Sequence, residues 1–156
     1  MKDVHETLRN NGVIPVLRIE DPRQAIPLGQ ALTAGGIDVA EVTFRTESAA
    51  ESIRRLTGGM SGLLVGAGTI LTIDDAKKAL DAGARFIVSP GYDDELVQWC
   101  IEHEVPVYPG VSTPSEIERA MRRGVSVLKL FPAEALGGTA MIDALAGPFP
   151  GIRFIP

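Results

Sequence analysis

Seven short apolar runs recur along this chain, each separated from the next by a longer amphipathic segment, and that alternation limits the fold more than any other feature of the sequence. The runs are Val13 to Leu17, Ile37 to Val42, Leu63 to Val65, Phe86 to Val88, Val105 to Tyr108, Val125 to Leu130 and Ile152 to Ile155. They are too short for helices and rich in branched residues, so they read as strands buried on both faces. Helix starts fall between them. Asp21-Pro22-Arg23-Gln24, Thr72-Ile73-Asp74-Asp75 and Thr113-Pro114-Ser115-Glu116 each place a capping residue three positions before an acidic or amide partner, two of them with proline at the first helical position. Gly35-Gly36, Gly83 and Gly124 stand where helices should stop. Strand and helix in regular turn predict a parallel sheet. A repeat of roughly 20 to 25 residues, with one helix ahead of the first strand, predicts a (β/α)8 TIM barrel, with a doubly wound open sheet as the alternative.

On this count six strand and helix pairs and a seventh strand precede Pro156. The expectation is a single barrel domain over residues 1–156, truncated after its seventh strand as a fragment that lacks βα units 7 and 8. Those units carry the loops that frequently bind a substrate phosphate in this fold. With 156 residues, 45% of them hydrophobic, the chain can bury one sizeable core. Its formal net charge of -5, with both signs interspersed, provides no basic stripe for nucleic acid or an anionic membrane surface, which leaves a small molecule as the partner. The start, Met1-Lys2-Asp3-Val4-His5-Glu6, has no signal-peptide core, and no stretch is apolar enough to span a bilayer, so a cytoplasmic location is expected. The single cysteine, Cys100, excludes an internal disulfide framework and reads as a buried thiol in a helix over Asp94 to Glu102.

Within the sixth run, Val125-Ser126-Val127-Leu128-Lys129-Leu130-Phe131, one residue is out of place. Burial disfavours the ammonium form of a lysine, and the free amine that results can attack a ketone to give a Schiff base. A stem packed on apolar neighbours with its head in water is the other account of Lys129. The second run continues Val39-Ala40-Glu41-Val42-Thr43-Phe44-Arg45, and the two-residue period puts Val39, Glu41, Thr43 and Arg45 on one face. On the enclosed face of a barrel, Glu41 can move protons and Arg45 can clamp a carboxylate. A structural Glu41 to Arg45 ion pair is the competing reading.

The third run leads into Gly66-Ala67-Gly68-Thr69, where bare backbone can approach a ligand and Thr69 offers a hydroxyl at the mouth. It is not a dinucleotide fingerprint, because Leu71 occupies the third glycine position. Ser89-Pro90-Gly91 and Tyr108-Pro109-Gly110 read as tight turns first and pocket walls second. His5 and His103 have no second ligand at metal spacing and read as surface residues, so no metal site is expected. Ser112 lacks a nucleophile-elbow context, and Trp99 reads as helix packing.

Taken in order, Glu41 to Thr46, Val65-Gly66-Ala67-Gly68-Thr69, Ser89-Pro90-Gly91, Val127-Leu128-Lys129-Leu130-Phe131-Pro132-Ala133-Glu134 and Gly147-Pro148-Phe149-Pro150 resemble the signature segments of the 2-keto-3-deoxy-6-phosphogluconate (KDPG) aldolases, a class I family that includes 4-hydroxy-2-oxoglutarate (KHG) aldolases. The resemblance implies a (β/α)8 barrel assembled as a homotrimer when full length, with no metal or organic cofactor. It implies that Lys129 forms the Schiff base with the C2 ketone of a phosphorylated keto acid and that Glu41 shuttles protons. Arg45 and Thr69 match positions that hold the carboxylate end, and Pro90 and Phe131 match pocket walls. The family continues beyond the seventh strand with a Thr-Gly-Gly segment and a glycine-rich phosphate loop, which these 156 residues do not include. Two other classes stay open at this stage. One is an isomerase or decarboxylase acting on a phosphosugar, with Lys129 purely electrostatic, and the other is an inactive truncated barrel.

Overall fold

Among the described residues every strand pairing is parallel and joins strands adjacent in sequence, which is the winding of a (β/α)8 barrel and not of a doubly wound sheet, whose strand order must reverse. The structure, a computed structural model, describes residues 4–156; Met1 to Asp3, part of the N-terminal stretch read above for a leader, lie outside the described residues. Helix α1 (Val4–Asn11) precedes β1 (Val16–Leu17), and then follow α2 (Ala25–Ala34), β2 (Val39–Thr43), α3 (Ala49–Gly59), β3 (Leu64–Gly68), α4 (Ile73–Asp81), β4 (Ile87–Val88), α5 (Asp94–Glu102) and β5 (Val107–Tyr108). After Pro109 come β6 (Gly110–Val111), α6 (Pro114–Arg122), β7 (Val127–Leu130), α7 (Thr139–Ala146) and β8 (Arg153–Ile155).

Two expectations need correction. The third strand does not stop at Val65: Gly66, Ala67 and Gly68 continue it, paired with Glu41, Val42 and Thr43 of β2. The glycines therefore lie in the barrel wall and not in a loop. Tyr108-Pro109-Gly110 is likewise not a tight turn but a strand with a break in it. Proline has no N–H to donate, so the ladder lapses at Pro109. β5 stays bonded to β4, β6 pairs with β7, and the Pro109 carbonyl still accepts from the Lys129 N–H at 3.0 Å.

The strand period of two sorts the core into layers. Outward residues Ala40, Val42, Val65, Ala67 and Ile87 pack under the helices with Ile53, Leu56, Ala76, Leu96 and Cys100. Val111, Leu128 and Leu130 do the same under α6 and α7 with Ile117, Ala120 and Leu145. The inward face of the wall builds a separate layer of Val39, Phe86, Val88 and Tyr108, closed from below by Leu8 of α1. His5 of the same helix puts its Nδ1 2.9 Å from the Tyr108 hydroxyl, so this exposed histidine caps a buried phenol. His103 stacks on Trp99, which is partly buried against the outer core.

Local chemistry supports these elements. Thr72 caps α4 by accepting from the Asp75 N–H, and Thr113 with Glu116 forms a capping box at α6. Gly36, Gly83 and Gly124 take positive φ angles of 80, 102 and 77° just beyond helix ends, a conformation that side chains resist. Cys100 is buried, and burial pushes its thiol up to about 12.

Candidate active site

Two charged side chains, Glu41 and Lys129, stand among the apolar residues on the inward face of the barrel. Glu41 lies in the middle of β2, held in register by Val16 on one side and Gly66 on the other. Lys129 lies in β7, between Gly110 and Ile155. From opposite parts of the wall they meet with Nζ 3.6 Å from Oε1, an ion-pair distance longer than a hydrogen bond. Both are enclosed, the lysine side chain 16% and the glutamate side chain 5% exposed. The competing Glu41 to Arg45 ion pair does not form; the carboxylate's ion-pair partner is Lys129.

Burial pushes the Glu41 carboxyl above its ordinary range, against the opposing pull of the Lys129 and Arg45 charges. Among the described residues nothing donates a hydrogen bond to Oε1. An enclosed acid beside an amine, with an unfilled acceptor, contributes little to folding and is a poor choice for a core. It is a suitable arrangement for proton transfer.

The remaining sequence candidates stand on the rim formed by the C-terminal strand ends. Phe131 follows β7, with its ring centroid 5.3 Å from Lys129 Nζ, and is 44% exposed although large and apolar. Arg45 follows β2 in an exposed turn, and its charge reaches Glu41. Thr69 follows β3 with φ at 59°, a left-handed conformation that is an outlier for a β-branched residue and costs on the order of 1–3 kcal/mol. Flanking bonds hold it there: Phe44 N–H donates to the Gly68 carbonyl at 2.8 Å, and Ile70 N–H to the Val88 carbonyl at 3.1 Å. Pro90 follows β4 and is half-buried; its neighbour Ser89 donates to the Gly91 carbonyl at 2.8 Å. The structure thus brings Lys129, Glu41 and Phe131 together directly and sets Arg45, Thr69 and Pro90 around the same rim. Thr43, on the Glu41 face, commits its hydroxyl to the Leu17 carbonyl at 2.9 Å.

Two residues that matter to the site were misread in the sequence. Gly66 and Gly68 do not open the backbone to a ligand; they leave the inward face of β3 bare. A Cβ on Gly66 would lie 2.2 Å from the Phe86 ring, and one on Gly68 would lie 1.9 Å from Glu41 Oε1. The available signal was two glycines spaced two apart directly after a strand. A cavity of about 460 Å³ lies elsewhere, at the foot of the barrel between α1 and β8, and none of the six candidates lines it. Among the described residues no three His, Cys, Asp or Glu side chains come together as a metal site requires, and no helix is long and apolar enough to cross a membrane.

The sequence profile of the family described as KDPG and KHG aldolase matches residues 4–156. The 2-dehydro-3-deoxy-phosphogluconate aldolase of Treponema pallidum (strain Nichols) is 49% identical over 156 residues, all of this chain and 74% of that protein. The chain therefore spans about three quarters of that relative. Among solved structures, the 2-keto-3-deoxy-6-phosphogluconate aldolase of Zymomonas mobilis ZM4, crystallised with 3-phosphoglycerate, is 37% identical with a TM-score of 0.94, covering 100% of this chain and 74% of that one. A KDPG aldolase from Legionella pneumophila, with pyruvate captured at low pH as a covalent carbinolamine intermediate, is 41% identical with a TM-score of 0.89, covering 92% and 69%.

Proposed function

The chain belongs to the KDPG and KHG aldolase family, and we propose that it works through a Schiff base on Lys129 with Glu41 as the proton carrier. As an aldehyde-lyase it cleaves 2-keto-3-deoxy-6-phosphogluconate to pyruvate and glyceraldehyde 3-phosphate, and 4-hydroxy-2-oxoglutarate is the second substrate of this reading. The observation that carries the mechanism is the enclosed Lys129 to Glu41 pair, 3.6 Å apart. The covalent pyruvate adduct of the Legionella pneumophila relative supports the same assignment.

The unprotonated Nζ attacks the C2 ketone, and the carbinolamine loses water to form an iminium. A base removes the C4 hydroxyl proton, the C3–C4 bond breaks, and its electron pair passes into the iminium to leave an enamine on Lys129 while the aldehyde departs. Protonation at C3 and hydrolysis then release pyruvate. A carboxyl lifted above its ordinary range exchanges protons readily in both directions, which suits Glu41 to the carbinolamine and C3 steps. Arg45 and Thr69 hold the carboxylate end of the substrate, and Phe131 and Pro90 bound the pocket. Residues 1–156 belong to one barrel domain on this reading; the family resemblance implies a homotrimer for the full-length protein, and the cytoplasm is the proposed location.

The test is to incubate the protein with pyruvate and borohydride and map the reduced peptide. An adduct on Lys129 is expected, and Lys129→Ala abolishes both trapping and cleavage. Reduction on Lys77 or Lys78, or none at all, refutes covalent catalysis by Lys129. Glu41→Gln slows exchange of the pyruvate methyl protons on the order of 100-fold, whereas Arg45→Ala raises KM before it lowers kcat.

A further inference from the structure

The inward face of β3 carries no side chain at its middle position, Gly66, or at its last, Gly68, and conformation is not the reason. Neither Gly66 nor Gly68 has a positive φ, and both sit in regular parallel register with β2, so the backbone at these positions accepts any residue. What the glycines supply is space. At Gly68 the three atoms nearest to that space belong to one side chain: an ideal Cβ would stand 1.9 Å from Glu41 Oε1, 2.5 Å from its Cδ and 2.7 Å from its Cγ. The glutamate crosses from β2 over the bare backbone of β3, and its carboxylate ends beside Lys129.

We propose that Gly68 is a positioning residue for the aldol reaction, its missing side chain being what allows the Glu41 carboxylate to lie over β3 within reach of the lysine. The proposal rests on the reading of Lys129 and Glu41 given above. A methyl group at position 68 conflicts with three successive atoms of Glu41, so turning the terminal carboxylate is not enough and the side chain must withdraw as a whole. Restoring ordinary contact requires a shift of more than about 1 Å, and a misplacement of that size costs a catalytic group on the order of 100-fold. Because the obstructed group is a flexible side chain and not backbone, the barrel yields at Glu41 and keeps its wall.

The experiment follows pyruvate methyl exchange into deuterated water by NMR, alongside the final extent of borohydride trapping, in the wild type, Gly68→Ala, Glu41→Gln and the double variant. Gly68→Ala is expected to lose on the order of 100-fold in exchange while trapped adduct on Lys129 still reaches the wild-type extent. Its pH profile should lose the limb that Glu41 provides. In the Glu41→Gln background the same alanine should add less than about twofold, since the carboxylate it displaces is already gone. Exchange within about threefold of wild type in Gly68→Ala, or losses that multiply in full in the double variant, overturn the proposal. Should Gly68→Ala fail to fold, Glu41→Asp decides: it draws the carboxylate back from above Gly68 without a clash, and wild-type exchange there is equally fatal. A wild type without adduct on Lys129, or a Glu41→Gln variant with unchanged exchange, sinks the underlying reading instead.

Discussion

Replacing Phe86 with alanine empties the centre of the inner layer, and the structure sets both the size of the effect and a way to reverse it. The ring is fully buried and meets Tyr108 edge-on, with centroids 5.8 Å apart at 74°. Removing a buried phenylalanine costs about 3–5 kcal/mol, of which an edge-to-face pair accounts for about 0.5–1.5. For a domain of this size that lowers the melting midpoint by roughly 6–20 °C. Gly66→Ala alone forces a Cβ to 2.2 Å from Cε2 and Cζ of this rigid ring, an overpacking worth about 1–3 kcal/mol. In the Phe86→Ala background the same methyl enters vacated space and restores about 1 kcal/mol. The alanine at position 66 therefore changes sign with the residue at 86. Thermal and urea unfolding of the four proteins in the cycle, followed by circular dichroism, reads this directly. An equal cost for Gly66→Ala in both backgrounds would show that the ring does not occupy the space over Gly66.

The Glu41 carboxyl predicts a pH dependence of stability. Because burial raises it, the folded protein keeps a proton that the unfolded chain has released above the ordinary value of 4.5, so this residue's contribution to stability falls as pH rises from there. Melting curves against pH should show Glu41→Gln gaining on the wild type over that rise, and parallel curves would contradict the shift. At α6, Thr113→Ala removes the hydroxyl of a capping box whose carboxylate also accepts from the Ser112 and Thr113 N–H groups at 2.8 and 2.9 Å. A loss of about 1 kcal/mol is expected, or about 2–4 °C in the midpoint, and an unchanged melt would remove the cap from the account of α6.

Much of this architecture was legible because period, cap and glycine agreed: all seven apolar runs contain strands, and the helix expected over Asp94 to Glu102 has those bounds. The failures have physical causes. The start of α3 was passed over although Ser48-Ala49-Ala50-Glu51 has the cap-to-acid spacing, and the structure does not use it: Ser48 makes no side-chain bond to the helix and donates instead to the Ile19 carbonyl. β3 was cut short because glycine carries no strand propensity of its own, and only pairing with β2 shows why it belongs there. Lys129 and Glu41 were visible as charges in apolar runs. That they meet each other, and that Arg45 does not compete for the carboxylate, depends on how the wall curves, which no local pattern encodes.

The lapse at Pro109 divides the wall into a ladder of five strands and a ladder of three. Glu41 belongs to the first and Lys129 to the second, so their ion pair is a clasp across a seam, and the seam is a single interrupted strand. Gly110 fits beneath the Pro90 carbonyl, which a Cβ would meet at 2.1 Å, and the Lys129 N–H is tied to the Pro109 carbonyl. Each ladder keeps its own core beneath its own helices. A small slip between the two would leave both outer cores packed and be felt where the ladders meet, in the inner layer that Val127 and Ile155 share with Phe86 and Tyr108 and in the gap between amine and carboxylate.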